Sequence, residues 1–168
     1  MSRAVLSIGS NLGDPFENLR SVVDALGDRL VAVSGVYATA PWGGVEQQDF
    51  LNATLIADDP ELDCRGWLRF GQELEAAADR VREQRWGPRS LDVDVVDCDG
   101  LVSADPELTL PHPRAHERAF VLVPWLEIDP DATLTVRGAR VPARELLGGL
   151  DATERDGVRR TELRLVRP

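Results

Sequence analysis

The stretch from Arg85 to Val96 reads RWGPRSLDVDVV, and its second half carries the clearest strand pattern in the chain. Asp92 and Asp94 alternate there with three aliphatic residues, Leu91, Val93 and Val95. Side chains on a strand repeat every two residues, so we expect both carboxylates on one face and the aliphatic side chains on the other. This spacing places the two acidic groups about 6–7 Å apart along the strand.

Two carboxylates so close together repel each other unless a cation lies between them. Ligand sets made only of oxygen suit Mg²⁺, which binds carboxylates, water and substrate phosphates. Arg85 and Arg89 lie just upstream, and guanidinium groups match phosphate oxygens. The combination favours a polyphosphate site, while a solvated strand face with Asp–Arg ion pairs stays open as the simpler alternative.

The elements before this strand define the fold class. Short apolar runs predict strands at residues 4–8, 30–37 and 51–57. A helix start is predicted at Asp14, where Asp-Pro-Phe-Glu supplies an N-cap, a first-position proline and a third-position glutamate. A second helix is predicted over residues 63–82. The order strand, helix, strand, strand, helix, strand predicts a ferredoxin-like βαββαβ sandwich, an α+β fold with helices on one face of an antiparallel sheet.

Smaller elements are predicted after the turn at Asp99 and Gly100. They are a mostly apolar helix from His116 to Ile128 broken at Pro124, a strand at 133–136, a helix at 143–147 and a strand around Leu163. The tail, residues 151–168, has no clear role in this interpretation. We interpret residues 1–168 as a single domain, a length that suits one hydrophobic core.

Two long loops, residues 38–50 and 83–90, flank the predicted site. We expect them to close over it and exclude water. The Gly-rich segment 9–13 lacks the spacing of a nucleotide-binding motif, so we interpret it as a structural turn. His112 and His116 are four residues apart, but the intervening Pro113 disfavours the helical geometry of a zinc pair.

Composition limits the classes of function. The 168 residues are 43% hydrophobic and 29% charged, which are values typical of globular proteins. The net charge of −10 argues against general affinity for nucleic acid or anionic membranes, and the absence of lysine excludes a Walker lysine or a Schiff base. We interpret Cys64 and Cys98 as reduced thiols, since two cysteines are too few for a disulfide framework. Without a membrane span or a secretory leader, a cytoplasmic location is expected.

Four further motifs accompany the aspartate strand. LSIGSNLGD occupies residues 6–14, YATAP 37–41, FLNA 50–53 and PHPRAHERAFVL 111–122. Together with RWGPRSLDVDVV, they resemble in content and order the 6-hydroxymethyl-7,8-dihydropterin pyrophosphokinases of folate biosynthesis, and the resemblance extends to about Asp129. It implies transfer of the β,γ-pyrophosphoryl unit of ATP to the hydroxymethyl group of the pterin, with release of AMP.

The resemblance implies roles for residues on the phosphate side. Asp92 and Asp94 correspond to ligands of two Mg²⁺ ions between ATP and the acceptor, which neutralise charge and orient the attacking hydroxyl. The catalytic residues that it implies are Arg80, Arg89, Asp94 and His112. The implied ATP site consists of Leu68, Gln72, Glu75, Arg80, Arg82, Arg89, Val95, His112 and Arg118.

The resemblance also implies a pterin site. Trp86 and Phe120 correspond to an aromatic pair that sandwiches the flat ring. The other implied pterin contacts are Thr39, Ala40, Pro41, Trp42, Gly43, Phe50, Asn52 and Asp92. The chain departs from the usual family pattern at Ala40, Phe50 and Pro113, and the segment between Arg82 and Trp86 is one residue shorter than in some relatives.

Two other functions remain possible on the sequence alone. A two-metal nucleotidyltransferase on a ferredoxin-like core would also use Asp92 and Asp94, but it would release pyrophosphate and would need a basic template groove. A non-catalytic small-molecule-binding domain would have no need of Asp94. The expected partners are ATP and the pterin, with no nucleic acid and no membrane, and we expect a monomer.

Overall fold

A computed structural model describes residues 2–40, 48–81 and 90–166, without the side chains of Arg80 and Val81. The strands are β1 (Ser2–Ser10), β2 (Leu30–Val33), β3 (Tyr37–Thr39), β4 (Phe50–Asp59), β5 (Asp92–Cys98), β6 (Ser103–Asp105), β7 (Leu108–Leu110), β8 (Thr133–Val136), β9 (Ala139–Pro142) and β10 (Arg159–Arg160). The helices are α1 (Pro15–Leu26), α2 (Cys64–Val81), α3 (Ala119–Ile128), α4 (Ala143–Gly148) and α5 (Ala152–Asp156). Of these helices, none is long and apolar enough to cross a membrane.

Six strands form an antiparallel sheet in the order β10-β3-β4-β1-β5, with β2 also paired to β4. The pairs β6–β7 and β8–β9 form two separate hairpins. From β1 to β5 the chain follows the predicted order, with β2 and β3 together in the place of the second predicted strand. The α+β class and the ferredoxin-like order are therefore confirmed.

The helices α1 and α2 cover one face of the sheet. In the first turn of α2, Trp67 is fully buried, and its indole nitrogen donates to Oγ of Ser2 at 2.9 Å. One turn later, a Cβ added to Gly71 would lie 3.0 Å from Cγ1 of Val93, so α2 lies directly against β5. The helix α1 begins as predicted, because the Asp14 side chain accepts a hydrogen bond from the backbone N–H of Glu17 at 3.2 Å.

The opposite face is covered in part by α3 and α4, which follow the βαββαβ core in the chain. The core on this side includes Val5, Ile56, Val96, Leu122 and Trp125. The helix α3 carries apolar residues around most of its circumference, and it can bury them only between the sheet and α4. It also continues through Pro124 without a break, contrary to the prediction, since proline removes only one N–H donor of the helix and its ring is buried.

Two predicted elements differ in the structure. Residues 30–37 form two strands, with a break at residues 34–36. In this break the backbone N–H of Gly35 donates to a side chain, Oε2 of Glu127, at 2.9 Å. The tail forms its strand at Arg159–Arg160, beside β3, and not around Leu163.

Cys64 and Cys98 form a disulfide, so their interpretation as reduced thiols was wrong. Cys64 begins α2 and Cys98 ends β5, and the packing of this helix on this strand brings their Cα atoms to 5.8 Å. The two residues are 34 positions apart, so the local sequence contains no sign of their proximity.

Candidate active site

Asp92 and Asp94 lie on the face of β5 that points away from α1 and α2. Val93 and Val95 are 6% and 7% exposed and belong to the core beneath those helices. Asp92 is exposed and Asp94 is half-buried. The alternation predicted from the sequence is therefore confirmed, with both carboxylates on one face.

A row of polar residues crosses the sheet from Asp94. Ser7 of β1 is its register partner, and Thr54 of β4 is the next residue across. The hydroxyl of Thr54 donates to the carbonyl oxygen of Val121 at 3.5 Å, which places the first turn of α3 over this row. Both Ser7 and Thr54 are buried, so Asp94 lies at the border of covered and open surface.

A second row crosses the sheet from Asp92. Gly9 is its register partner on β1, and Asn52 follows on β4. A Cβ added to Gly9 would lie 3.0 Å from Oδ1 of Asn52, so only glycine leaves room for this amide. Nδ2 of Asn52 donates to Oγ1 of Thr39 at 3.0 Å. The structure thus brings together Asn52 and Thr39, two residues predicted to contact the pterin.

His112 is held beside β5 by its backbone, whose N–H donates to the carbonyl oxygen of Val96 at 2.9 Å. Burial lowers the pKa of His112 below its ordinary value, and the nearby Asp94 carboxylate opposes this effect. The positive charges of Arg118 and Arg114 lower the pKa further. Because Nδ1 accepts from the backbone N–H of Arg114 at 3.2 Å, the neutral ring is assigned its proton on Nε2, where it can donate to an anion.

Arg118 and Phe120 lie at the start of α3. The guanidinium carbon of Arg118 is 5.5 Å from the centre of the Phe120 ring, within the range of a cation–π contact. Phe120 is partly buried against the core below α3. The structure therefore brings Arg118, Phe120, His112 and Asp94 to the same region, as the resemblance implies.

Two predicted ATP contacts, Leu68 and Gln72, line a groove of about 530 Å³ beside α2. Arg65 on α2 pairs with Asp105 and, at 3.5 Å, with Glu107, and these contacts hold the β6–β7 hairpin near the helix. The other residues that line the groove are Arg65, Arg69, Pro106 and Glu107.

Two other predicted ATP contacts, Val95 and Glu75, have side chains that contact other parts of the protein. The side chain of Val95 is buried in the core, which leaves its main chain as the part that can meet a ligand. Oε2 of the buried Glu75 accepts from the backbone N–H of Val93 at 3.2 Å, so this carboxylate holds the strand that carries the aspartates.

Hydrogen bonds to the backbone of Ser90 fix the residues just before β5. The sequence interpretation did not predict these hydrogen bonds. The backbone N–H of Ser90 donates to Oδ1 of Asp79 at 3.1 Å. Its carbonyl oxygen accepts from the hydroxyl of Ser10 and from Nδ2 of Asn18, the latter at 3.2 Å. Ser10 lies in the motif LSIGSNLGD, which was visible in the sequence, but its partner is 80 positions away.

Several predicted site residues are outside the described part of the chain. Two of the predicted pterin contacts are described at the edges of this gap. Ala40 is exposed directly after β3, and Phe50 pairs with Thr39 at the start of β4. The predicted closure of the loops 38–50 and 83–90 falls mainly on residues that the structure does not describe. The predicted site residues that the structure does not describe are Pro41, Trp42, Gly43, Arg82, Trp86 and Arg89, together with the side chain of Arg80.

The donor set at the aspartates suits a hard cation. Across residues 2–40, 48–81 and 90–166, no group of three or more His, Cys, Asp or Glu side chains could hold a metal ion. Asp92 and Asp94 offer carboxylate oxygens alone, and Mg²⁺ commonly takes one or two carboxylates with water and phosphate oxygens as its other ligands. The pair therefore fits a magnesium ion that binds together with a phosphorylated substrate.

Comparisons with known proteins show what the chain is similar to. Residues 5–130 match the family described as 7,8-dihydro-6-hydroxymethylpterin-pyrophosphokinase. The 2-amino-4-hydroxy-6-hydroxymethyldihydropteridine pyrophosphokinase of Mycobacterium tuberculosis is 56% identical over 95% of this chain and 89% of its own length. The protein of the same name from Methylorubrum extorquens is 46% identical over 96% of this chain and 100% of its own length.

Similarity to solved structures concerns the fold alone. The wild-type HPPK-DHPS protein of Plasmodium falciparum has a TM-score of 0.63 to this chain at 13% sequence identity. The match covers 86% of this chain and 40% of that longer protein, so the chain spans less than half of it.

Proposed function

The chain belongs to the 7,8-dihydro-6-hydroxymethylpterin-pyrophosphokinase family, and from this membership we propose that it transfers the pyrophosphoryl group of ATP to hydroxymethyldihydropterin in folate biosynthesis. The products are AMP and the pterin diphosphate. The observation that carries the proposal is the placement of Asp92 and Asp94 on one sheet face, beside His112 and the start of α3.

We assign Asp92 and Asp94 to hold the Mg²⁺ that accompanies ATP, with two ions in the complete site. When bound, Mg²⁺ neutralises charge on the transferred group and helps to align the acceptor oxygen. The half-buried position of Asp94 beside Ser7 supports this role, because burial strengthens the attraction between a carboxylate and a cation.

We assign His112 and Arg118 to the phosphates. The neutral ring of His112 donates from Nε2 to a phosphate oxygen, and Arg118 supplies a permanent positive charge at the same end of the site. Family resemblance adds Arg80, Arg82 and Arg89 to this set. Within the described residues no side chain is placed as an activated nucleophile, and catalysis by positioning and electrostatics suits a reaction whose acceptor is the substrate's own alcohol.

The two substrates would occupy different sides of β5. The nucleoside part of ATP would lie in the groove beside α2, which Leu68 and Gln72 line. Asn52 and Thr39 would read the polar edge of the pterin, and Phe120 with Trp86 would stack on its faces. Pro41, Trp42, Gly43, Ala40 and Phe50 complete the proposed pterin site by resemblance.

Phosphorus NMR of the protein with ATP, Mg²⁺ and 6-hydroxymethyl-7,8-dihydropterin tests the reaction. We expect AMP and a new pterin diphosphate. Free pyrophosphate would instead indicate the nucleotidyltransferase alternative, and pterin binding without turnover would indicate a binding domain.

Three further proposals concern the whole chain. We infer that residues 1–168 act as one catalytic domain, that the protein is monomeric, and that it works in the cytoplasm. Limited proteolysis, light scattering and cell fractionation test these proposals in turn.

A further inference from the structure

The C-terminal segment, residues 152–161, lies beyond the residues that the family model matches, and it contacts the elements of the proposed pterin site. The match to the family model ends at residue 130. The segment comprises α5 and β10, and its contacts reach α3, β3 and the residue that precedes β4.

The first contact is at the start of α3. Oε1 of Glu154 accepts from the backbone N–H of Ala119 at 3.2 Å. The N-cap residue of this helix, Arg118, makes no side-chain capping bond, so Glu154 supplies the cap from a distant part of the chain. Ala119 lies between Arg118 and Phe120, which are the proposed phosphate and pterin contacts on this helix.

The second contact extends the sheet beside β3. Arg159 and Arg160 pair with Ala38 and Tyr37, and the backbone N–H of Thr161 continues the pairing to the carbonyl oxygen of Val36 at 2.9 Å. Without β10, β3 would be an edge strand of only three residues. Thr39 is the last residue of β3, and its hydroxyl accepts from the side chain of Asn52. The pairing with β10 therefore stabilises the strand that carries Thr39.

The third contact is an ion pair at the start of β4. A guanidinium nitrogen of Arg159 lies 2.7 Å from Oδ2 of Asp49. Asp49 directly precedes Phe50, which pairs with Thr39 across the two strands. One residue of the tail therefore binds β3 through its backbone and the start of β4 through its side chain.

We propose that Glu154 and Arg159 are positioning residues that hold the pterin side of the active site. The proposal rests on the proposed function for the identity of the substrate. All three contacts reach elements with proposed pterin contacts, and the residues that line the ATP groove come from α2 and the β6–β7 hairpin. Loss of Arg159 should therefore weaken the pterin interaction and leave the ATP interaction unchanged. Loss of Glu154 should weaken the pterin interaction and should also loosen the start of α3, where Arg118 lies.

Charge reversal tests the ion pair. We expect Asp49→Arg and Arg159→Asp each to raise the KM for the pterin about three- to fivefold with the KM for ATP unchanged, a size consistent with one exposed ion pair. The double variant should recover much of the loss. The matched control is the pair Arg3–Asp58, with the same 2.7 Å separation and similar exposure, whose reversal by Arg3→Asp and Asp58→Arg should change neither KM.

Glu154→Ala and Glu154→Gln test the cap. The amide oxygen of glutamine can still accept from Ala119, so we expect only the alanine variant to raise the pterin KM and to speed hydrogen exchange of the Ala119 amide. For the ion pair, equal changes in both KM values or no recovery in the double variant would overturn the proposal. For the cap, unchanged Ala119 exchange in Glu154→Ala would overturn it.

The two proposals fail in different ways. A wild-type protein that forms no pterin diphosphate contradicts the proposed function. Hydrogen exchange at Ala119 does not depend on turnover, and it still decides whether Glu154 holds the start of α3.

Discussion

The hydroxyl of Tyr37 donates to Oε1 of Glu127 at 2.6 Å, and this hydrogen bond joins β3 to α3. The same carboxylate lies 3.3 Å from a guanidinium nitrogen of Arg160, and its other oxygen accepts from the backbone N–H of Gly35. A single side chain of α3 thus binds the strand β3, the segment before it and the C-terminal tail. Glu127 therefore links the two elements that carry Thr39 and Phe120, two proposed pterin contacts.

This contact predicts an unusual titration of Tyr37. Burial raises its pKa to about 12, and the hydrogen bond to Glu127 and the negative charge of that carboxylate act in the same direction. Tyr37 is the only tyrosine in the chain, so the ultraviolet absorbance of phenolate reports this group alone. We expect Glu127→Gln to lower the measured pKa toward 10, and a wild-type pKa near 10 would contradict the buried contact.

The raised pKa of Tyr37 also determines how the stability of the folded protein depends on pH. The folded state keeps the phenol proton up to about pH 12, whereas unfolded tyrosine loses it near pH 10. The stabilisation by Tyr37 is therefore complete below pH 10 and is lost as pH rises toward 12. Denaturant unfolding across this range should show a smaller loss in Glu127→Gln than in the wild type.

Close packing at Gly71 predicts a sensitive position on α2. An added Cβ would meet Cγ1 of Val93 at 3.0 Å and its carbonyl oxygen at 3.2 Å. We expect Gly71→Ala to cost about 1–3 kcal/mol of unfolding free energy and to lower kcat, because α2 must move away from the strand with the two aspartates.

Gly148 in α4 provides the control for that substitution. No heavy atom lies within 4 Å of a Cβ added there. Alanine at this helical position should be neutral or should stabilise by up to about 1 kcal/mol. If both variants unfold like the wild type in urea, the contact between α2 and β5 is looser than we describe.

Local patterns predicted the elements that hold the aspartates. The alternation in DVDVV and the cap at Asp14 are short-range signals, and both were confirmed because tertiary contacts agree with them. The disulfide, the Tyr37–Glu127 bond and the Arg159–Asp49 pair join residues 34, 90 and 110 positions apart, and no local pattern encodes such contacts. The family motifs indicated the proposed site residues, but the structure was needed to find that Glu75 bonds to the backbone of Val93.

The surroundings of Asp97 in the folded protein disfavour the charged form of its carboxyl group. Burial raises the pKa of this carboxyl, and the hydrogen bond from the backbone N–H of Gly100 and the charge of Arg140 offset the effect only in part. The folded state therefore binds its proton more tightly than the unfolded chain does, and stability falls as pH rises through the folded pKa. We expect Asp97→Asn to unfold at a higher temperature than the wild type at pH 7, with the difference vanishing below the ordinary pKa of aspartate. A lower unfolding temperature at pH 7 would contradict this account.

The last prediction concerns Asp94, for which Asp97→Asn is the matched control on the same strand. We expect Asp94→Asn to lower kcat by at least about a hundredfold, because a neutral amide holds a divalent cation far less strongly than a carboxylate does. Asp97→Asn makes the same change of charge and should retain wild-type kcat, since Asp97 faces Gly100 and Arg140. The measurement is steady-state turnover at several Mg²⁺ concentrations, with the unfolding temperature of each variant recorded. If Asp94→Asn kept its activity at low Mg²⁺ while folded, the metal would have to be held elsewhere in the chain.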